Sequence, residues 1–381
     1  MKILLLGEYS GFFNSLKEGL TKLNHNVTLV GRKDNFKNYP VDISLEADFF
    51  NKKLPRFFRL GIHKIIKKDI ATLETFFRFK YHQSKFKHYD VVLLINEQPV
   101  TKTPFLEKKI LNFIFKNNKN VFLSACGDDY IFINSVLKDK KNYNILTPYH
   151  NNNKLKDRYK YSWVYTTKAA KKHHNFVFNY IKAVIPADFD YLAAYANHPK
   201  ATALIPFPIR THLLPFNPAK IEDKIVIFHG INKSNYYKKG NDIFDQALKI
   251  IKNKYASKVK IVTTVSLPYK EYINAYNNCH ILLDQIYSYD QGYNALEAMA
   301  KGKVVFSGAE KQWLKYYNTK ENAVVINATP SVTDIVNKLE WLILNPEKIT
   351  EISLAARRFV EEHHNHIFIA QKYMDTLKAY L

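Results

Sequence analysis

The segment Gln291-Gly-Tyr-Asn-Ala-Leu-Glu297-Ala-Met-Ala-Lys-Gly302 lies between two short apolar runs, 280–284 and 304–307. Runs this short, separated by a loop and a helical pattern, read as buried strands of a parallel sheet with a crossover helix between them. The loop ends at Gly292 and the helix runs through Met299. A helix start presents free backbone N–H groups and the positive end of a dipole, which suits a diphosphate. Gly292 lets a phosphate approach the backbone. Glu297, two turns or so into the helix, is placed to accept two hydrogen bonds from a ribose diol. By itself the segment also fits an ordinary amphipathic helix with a surface glutamate.

The same alternation extends on both sides. Upstream, 224–228 reads as a strand, 229–240 as a loop, 242–251 as a helix, 259–264 as a strand and 268–277 as a helix. The loop holds Phe228-His-Gly-Ile-Asn-Lys-Ser234 and Lys238-Lys-Gly-Asn-Asp242, with Asn241 or Asp242 as helix N-cap. Its lysines offer a phosphate mobile charge that the backbone lacks; a solvated basic loop is the plainer reading. Downstream, 324–326 is a strand, and the chain is mostly helical from Ser331. At the other end, 3–6 is a strand, 7–11 a glycine loop, and 13–23 a helix with Phe13, Leu16, Leu20 and Leu23 on one face. Strands follow at 27–30, 91–95, 121–125, 163–167 and 183–186. The stretch 205–218 holds four prolines, which block helix and central strand, so 206–220 reads as a linker. The expected architecture is α/β: two Rossmann-like, doubly wound parallel-sheet domains, 1–205 and 221–359, facing a central cleft, with a C-terminal helix at about 360–381 packing back on the first.

In order and spacing, residues 224–310 resemble the donor half of retaining GT-B glycosyltransferases, family 4 (glycosyl transferases group 1) in particular. The shared elements are strand, His-Gly-x-x-Lys, Lys-Gly, and Gly-x-x-x-x-Glu-Ala-Met-Ala-x-Gly-Lys-x-Val. The N-terminal half is similar more loosely, through the glycine loop with Gly7 and Gly11 and through Leu20-Thr-Lys-Leu-Asn-His-Asn-Val-Thr. The resemblance implies that Glu297 holds the nucleotide ribose and that Lys233 and Lys239 neutralise the diphosphate. It implies that Gly230 and the loop Gln291, Gly292, Tyr293 and Asn294 reach the phosphate and the sugar, and that Ser266 and Leu267 contact the base. Gly7 and Gly11 fall on the acceptor side. Cys126-Gly127-Asp128-Asp129 is similar to the family's His-Gly-x-Asp element, with Asp129 on its aspartate. Two roles fit Asp129: handling the acceptor hydroxyl's proton, and capping the following helix. The family's first glutamate, eight residues before Glu297, is replaced by Tyr289; either the adjacent Asp290 shifts into that role or the sugar is read differently. Asp128, Asp129 and Asp290 are therefore the catalytic candidates.

Composition narrows the partners. Among 381 residues there are 57 Lys and Arg against 34 Asp and Glu, a formal charge of +23. Such a balance attracts phosphate-bearing ligands, nucleic acid or an anionic membrane face, and Lys and Asn are both common along the whole chain. No recognised nucleic-acid module is present, so nucleic acid is not expected. Between 52 and 88, the cations Lys52, Lys53, Arg56, Arg59, Lys64, Lys67, Lys68, Arg78, Lys80, Lys85 and Lys87 interleave with Phe57, Phe58, Ile65, Ile66, Phe76, Phe77 and Phe79. That mix suits an anionic leaflet; the alternative is that the phenylalanines enter the core. The 2 cysteines, Cys126 and Cys279, fit no metal spacing or disulfide framework, and point to a reducing compartment. The apolar run before Gly7 is too short for a signal peptide, and no stretch approaches the roughly 20 residues of a spanning helix. A cytoplasmic protein, soluble or peripheral on the inner membrane face, is expected. His173-His174 and His363-His364-x-His366 read as clusters on surface helices, and no metal site is expected. Nor is there a Gly-x-Ser-x-Gly element or Walker loop.

The resulting expectation is a hexosyltransferase-type enzyme without cofactor or required metal, using a nucleoside-diphosphate sugar, UDP in preference to GDP. The acceptor is a hydroxyl of a glycan or lipid-linked glycan in cell-surface polysaccharide or glycolipid synthesis. Its rivals are a non-catalytic GT-B-like partner of a glycan assembly complex and a sugar-nucleotide 2-epimerase of the same fold.

Overall fold

The computed structural model describes residues 1–32, 39–66, 69–267 and 269–381. Lys67, Lys68 and Pro268, and the side chains of Ile65 and Ile66, lie outside the described residues.

Two parallel sheets organise the chain. The first holds β1 (Lys2–Leu6), β2 (Asn26–Gly31), β3 (Ile43–Ser44), β4 (Val91–Leu94), β5 (Val121–Ala125) and β6 (Val184–Pro186), in the order β3-β2-β1-β4-β5-β6. The second holds β7 (Ile225–Ile231), β8 (Val259–Val265), β9 (Ile281–Leu283), β10 (Val304–Ser307) and β11 (Ile326–Asn327), in the order β11-β10-β9-β7-β8. Every recorded pairing is parallel. The strands are apolar runs because both sheet faces are covered. Along β1, Leu4 and Leu6 enter the core on one face, while Ile3 and Leu5 enter a second core. That second core continues through Phe207 and Ile209 of the linker to Phe228, Leu282 and Val305 of the other sheet. A third core, with Ile227, Ile281 and Phe306, covers the far face of the second sheet.

The chain reverses its direction of winding between β1 and β4 in the first sheet and between β7 and β9 in the second. Loops leave both sides of such a point in opposite directions and open a crevice at the strands' carboxyl ends. Both crevices matter below. The helix Tyr293–Ala300 packs against Pro346–His363, and His366–Lys378 packs on Phe12–Lys22 of the first domain. Gly19 is required at that crossing, since a Cβ there would lie 2.2 Å from the carbonyl oxygen of His366.

Several local expectations need correction. Residues 163–167 are not a strand: Lys160–Trp163 is helical and Val164–Thr166 is a 3-10 turn. The β-branched residues misled, because Tyr165 is buried and Thr167 caps the next helix through Ala170 N at 3.1 Å. The strand near 224–228 extends to Ile231, so His229 and Gly230 belong to β7 rather than to a loop. The cap of the helix Asn241–Lys254 is Gly240, at φ +73°, and neither Asn241 nor Asp242. A Cβ on Gly240 would meet Ile286 at 2.8 Å, so only glycine fits. Glu297 is the fifth residue of its helix, little more than one turn in. Four of the five clustered histidines are not on the surface: His173, His174, His364 and His366 are buried, and His363 is partly exposed. His173 donates to the Glu97 carbonyl at 2.7 Å, and His364 to that of Phe207 at 2.8 Å.

The basic segment forms two helices, Lys53–Ile66 and Ala71–His82. Phe79 enters the core and Phe76 packs against it. Leu54, Phe57 and Phe58 are exposed by 77%, 77% and 67% of their surface. Leu73, Phe77 and Tyr81, spaced four apart on the second helix, are exposed as well.

Candidate donor and acceptor sites

The β7/β9 crevice gathers most of the donor-side candidates. Lys239 Nζ lies 2.9 Å from Asp284 Oδ1, at the end of β9, and Asn294 Nδ2 lies 3.2 Å from the same oxygen. Ile286 N donates to the Lys239 carbonyl at 3.0 Å, tying the two loops together. Across the mouth, Lys233 and Ser266 are exposed, with Lys233 N 3.4 Å from Ser266 Oγ, and Leu267 is 39% exposed. Among the described residues, Lys233 has no ion pair.

Gly292 precedes the first turn of Tyr293–Ala300, and no side chain caps that helix. Its φ of −73° is open to any residue, and a Cβ would find only the Gln285 amide, at 3.7 Å. A methyl group at this position therefore has room. Glu297, half-buried, follows on the same helix. Three other donor-side candidates point elsewhere. Gln291 is 3% exposed and donates to the Gly308 carbonyl at 2.6 Å. Tyr293 crosses to the first domain, with its hydroxyl 2.6 Å from Ser15 Oγ and 3.1 Å from the Gly11 carbonyl. Gly230 admits Tyr272, whose ring would stand 2.6 Å from an added Cβ. His229 is fully buried, 2.8 Å from Asn241 Oδ1, and anchors the helix behind the crevice.

At the β1/β4 crevice, Gly7 and Gly11 adopt φ of +97° and +91°. The Glu8 carboxylate between them accepts Gly11 N at 2.7 Å, Asn14 N at 2.8 Å and Asn14 Nδ2 at 2.7 Å. The chain's own carboxylate therefore fills this helix start. Beside it lies a cavity of about 150 Å³ lined by Glu8, Tyr9, Arg32, Glu46, Gln98 and Lys102. Burial pulls the Lys102 ammonium below its ordinary range.

The acidic candidates differ sharply. Asp128 Oδ1 meets Lys238 Nζ of the second domain at 2.6 Å, and Oδ2 accepts from Ser162 Oγ at 2.7 Å. Burial opposes its charge, but Lys238 and Ser162 hold its carboxyl below the usual range. Asp129 is 1% exposed, caps Tyr130–Lys138 through Phe132 N at 2.7 Å, and accepts from the Tyr195 hydroxyl at 2.9 Å. Burial, with Glu97 nearby, pushes it up to about 8. Asp290 Oδ2 accepts Phe189 N at 3.1 Å from the first domain. Carboxylate oxygens of Asp188, Asp190 and Asp290 lie within 4.8 Å of one another. Burial, then Asp188 and Asp190, raise Asp290 well above its ordinary value. Tyr289 N donates to Asp190 Oδ2 at 3.1 Å and Ser288 Oγ to the same oxygen at 2.5 Å, so this loop docks onto the first domain.

Sequence reasoning missed Asp284 and Asp190, and it placed Lys238 in the basic loop without its partner Asp128. Asp284 ends an apolar strand run, a readable signal for a crevice residue. The partners of Lys238 and Asp190 lie 110 and 98 residues away, beyond any local pattern.

Comparison with known proteins bears on these crevices. Residues 238–375 match the family described as glycosyl transferase-like. No curated protein matches the chain. Among solved structures, Anabaena HepE in complex with UDP and glucose is similar over 100% of both chains, at 13% identity and a TM-score of 0.56. Sucrose-phosphate synthase from Thermosynechococcus elongatus covers 100% of this chain and 98% of its own, at 13% identity and a TM-score of 0.59. The UDP-GlcNAc 2-epimerase of Neisseria meningitidis covers 100% of both, at 12% identity and a TM-score of 0.51. The chain is a GT-B-fold protein whose residues 238–375 match the glycosyl transferase-like family.

Proposed function

We propose that the protein is a glycosyltransferase that moves a hexosyl group from a UDP-sugar to a hydroxyl of a glycan or lipid-linked glycan, with retention of configuration. The observation that carries this reading is the helix start at Gly292, which no side chain caps, with Lys239 and Asn294 converging on Asp284 beside it. Backbone amides and the lysines Lys233 and Lys239 would stabilise charge growing on the leaving diphosphate, where preorganised electrostatics act most. Glu297 would hold the ribose, and Ser266 with Leu267 the base. That HepE is described with UDP-glucose supports UDP as the carrier. The lysines supply the positive charge, so the reading calls for no metal.

At neutral pH a base must be ionised, which separates the three aspartates. Asp128, held charged at the domain junction, is the group proposed to orient the acceptor hydroxyl. Asp129 and Asp290, pushed up by burial, are proposed to shape the cleft as neutral groups. The acceptor would enter at the β1/β4 cavity. The exposed phenylalanines of Lys53–Ile66 and Ala71–His82, among lysines, support peripheral attachment to an anionic cytoplasmic leaflet and hence a lipid-linked acceptor in cell-surface polysaccharide or glycolipid synthesis.

Product analysis tests the reading. Incubated with UDP-sugar alone, the protein should release UDP and sugar slowly, as transfer to water, and faster with lipid-linked acceptors. An epimerised nucleotide sugar as product, or no turnover with any donor, would contradict it.

A further inference from the structure

We propose that Glu18, His212 and His366 form a binding site for a transition-metal dication, Zn²⁺ by its ligand chemistry, which clasps the interdomain linker and the crossing helix to the first domain. Glu18 belongs to the helix Phe12–Lys22, His212 to the linker turn Thr211–Leu213, and His366 opens the helix His366–Lys378. One ligand atom from each lies within 4.8 Å of the others. His212 Nε2 is 3.1 Å from Glu18 Oε1, and His366 Nε2 is 3.5 Å from the same oxygen. Two bonds of about 2.0–2.1 Å at a tetrahedral angle place their donor atoms about 3.3 Å apart, so the spacing already matches a zinc centre.

The second observation is His366 itself. It is 5% exposed, and neither of its ring nitrogens has a hydrogen-bond partner. The Ile209 backbone lies against the ring in a contact too loose to satisfy either nitrogen by strict hydrogen-bond geometry. A buried imidazole without partners is costly in a folded protein, and a metal at Nε2 would satisfy it. Arg210 Nη1 approaches the other carboxylate oxygen, Glu18 Oε2, at 3.5 Å, which leaves Oε1 for the metal. Two imidazoles with one carboxylate select zinc over calcium or magnesium. His212, with 49% of its side chain exposed, opens the site to solvent, giving an entry path and room for water as fourth ligand.

The backbone is already fixed for this purpose. Gly19 lets the crossing helix touch the first helix beside Glu18, and Ile209 N donates to the His364 carbonyl at 2.7 Å, holding the linker against the helix start. None of the three ligands contributes to the donor crevice, so the site stands or falls separately from the proposed activity.

The test uses full-length, tag-free protein, stripped with chelator and titrated with Co²⁺ as a spectroscopic stand-in. The expected result is one equivalent bound with strong tetrahedral visible bands, displaced by Zn²⁺. His212→Ala, at a half-exposed position, and Glu18→Gln should keep the circular dichroism spectrum and lose the bands. Affinity should fall by more than the roughly 10–100-fold typical of outer-shell changes. No visible bands in the wild type, or unchanged bands in both variants, would overturn the proposal.

Discussion

At Gly292 the question is why glycine is there at all. Its φ is ordinary and its neighbours leave room for a methyl group, so neither backbone nor packing asks for it. Gly292→Ala should therefore leave stability within about 1 kcal/mol of wild type. It should weaken UDP-sugar binding at least tenfold, about 1.4 kcal/mol, because the added methyl would stand over the amides. Equal affinity in both proteins would remove the phosphate from this helix start. Gly7, Gly11 and Gly240 differ, since positive φ or a close neighbour explains each. A sequence displays all of them alike, so "glycine in a loop" was legible but its reason was not.

A second residue-scale prediction concerns pH. Glu97 Oε1 and His174 Nδ1 are 2.6 Å apart and buried. Burial pushes the carboxyl up to about 8 and the imidazole down to about 4. Between those values the pair keeps one proton. Unfolded, the two groups titrate near 4.5 and 6.5, so above 6.5 the unfolded pair holds less than half a proton. The folded state then binds more protons, and stability must fall as pH rises from 6.5 to 8, by about 1 kcal/mol for this pair. Asp129 and Glu107, also raised by burial to about 8, add slopes of the same sign. Urea midpoints across that range should drop, and less steeply in Glu97→Gln, which still can hydrogen-bond His174. An identical slope in the variant would refute the assignment.

At the scale of elements, strand and helix alternation was legible because parallel strands buried on both faces must be continuous apolar runs. What composition alone left open was the side of each phenylalanine. Phe79 points inward, stacked on Phe86 and edge-on to Phe113, while Phe57, Phe58 and Phe77 stand in solvent, a division set by which helix face meets its neighbours. Phe57→Ser with Phe77→Ser should leave folding intact, since both are two-thirds exposed or more. Sedimentation with phosphatidylglycerol vesicles should fall by roughly tenfold or more, given about 1.5–3 kcal/mol for each side chain buried. Undiminished binding, or equal binding to zwitterionic vesicles, would exclude the proposed leaflet contact. The strand expected at 163–167 shows the converse failure, where tertiary packing overrode β-branched composition.

At the scale of the molecule, the two crevices face an interface closed by Lys238 on Asp128, Tyr293 on Ser15 and the Ser288–Tyr289 loop on Asp190. These contacts join residues 98 to 278 positions apart, so none was legible locally. Through them Tyr289 and Asp290, which precede the helix Tyr293–Ala300, are held by first-domain groups. The fold and the β7/β9 crevice followed from local alternation; the domain junction needed coordinates. The central claim is that the crevice between Lys239, Gly292 and Glu297 binds a nucleoside-diphosphate sugar. Titration calorimetry with UDP-sugars tests it directly: the wild type should bind, and Lys239→Ala and Glu297→Ala, still folded by circular dichroism, should lose measurable affinity. Binding of neither UDP- nor GDP-sugars by the wild type, or unchanged affinity in both variants, would contradict it.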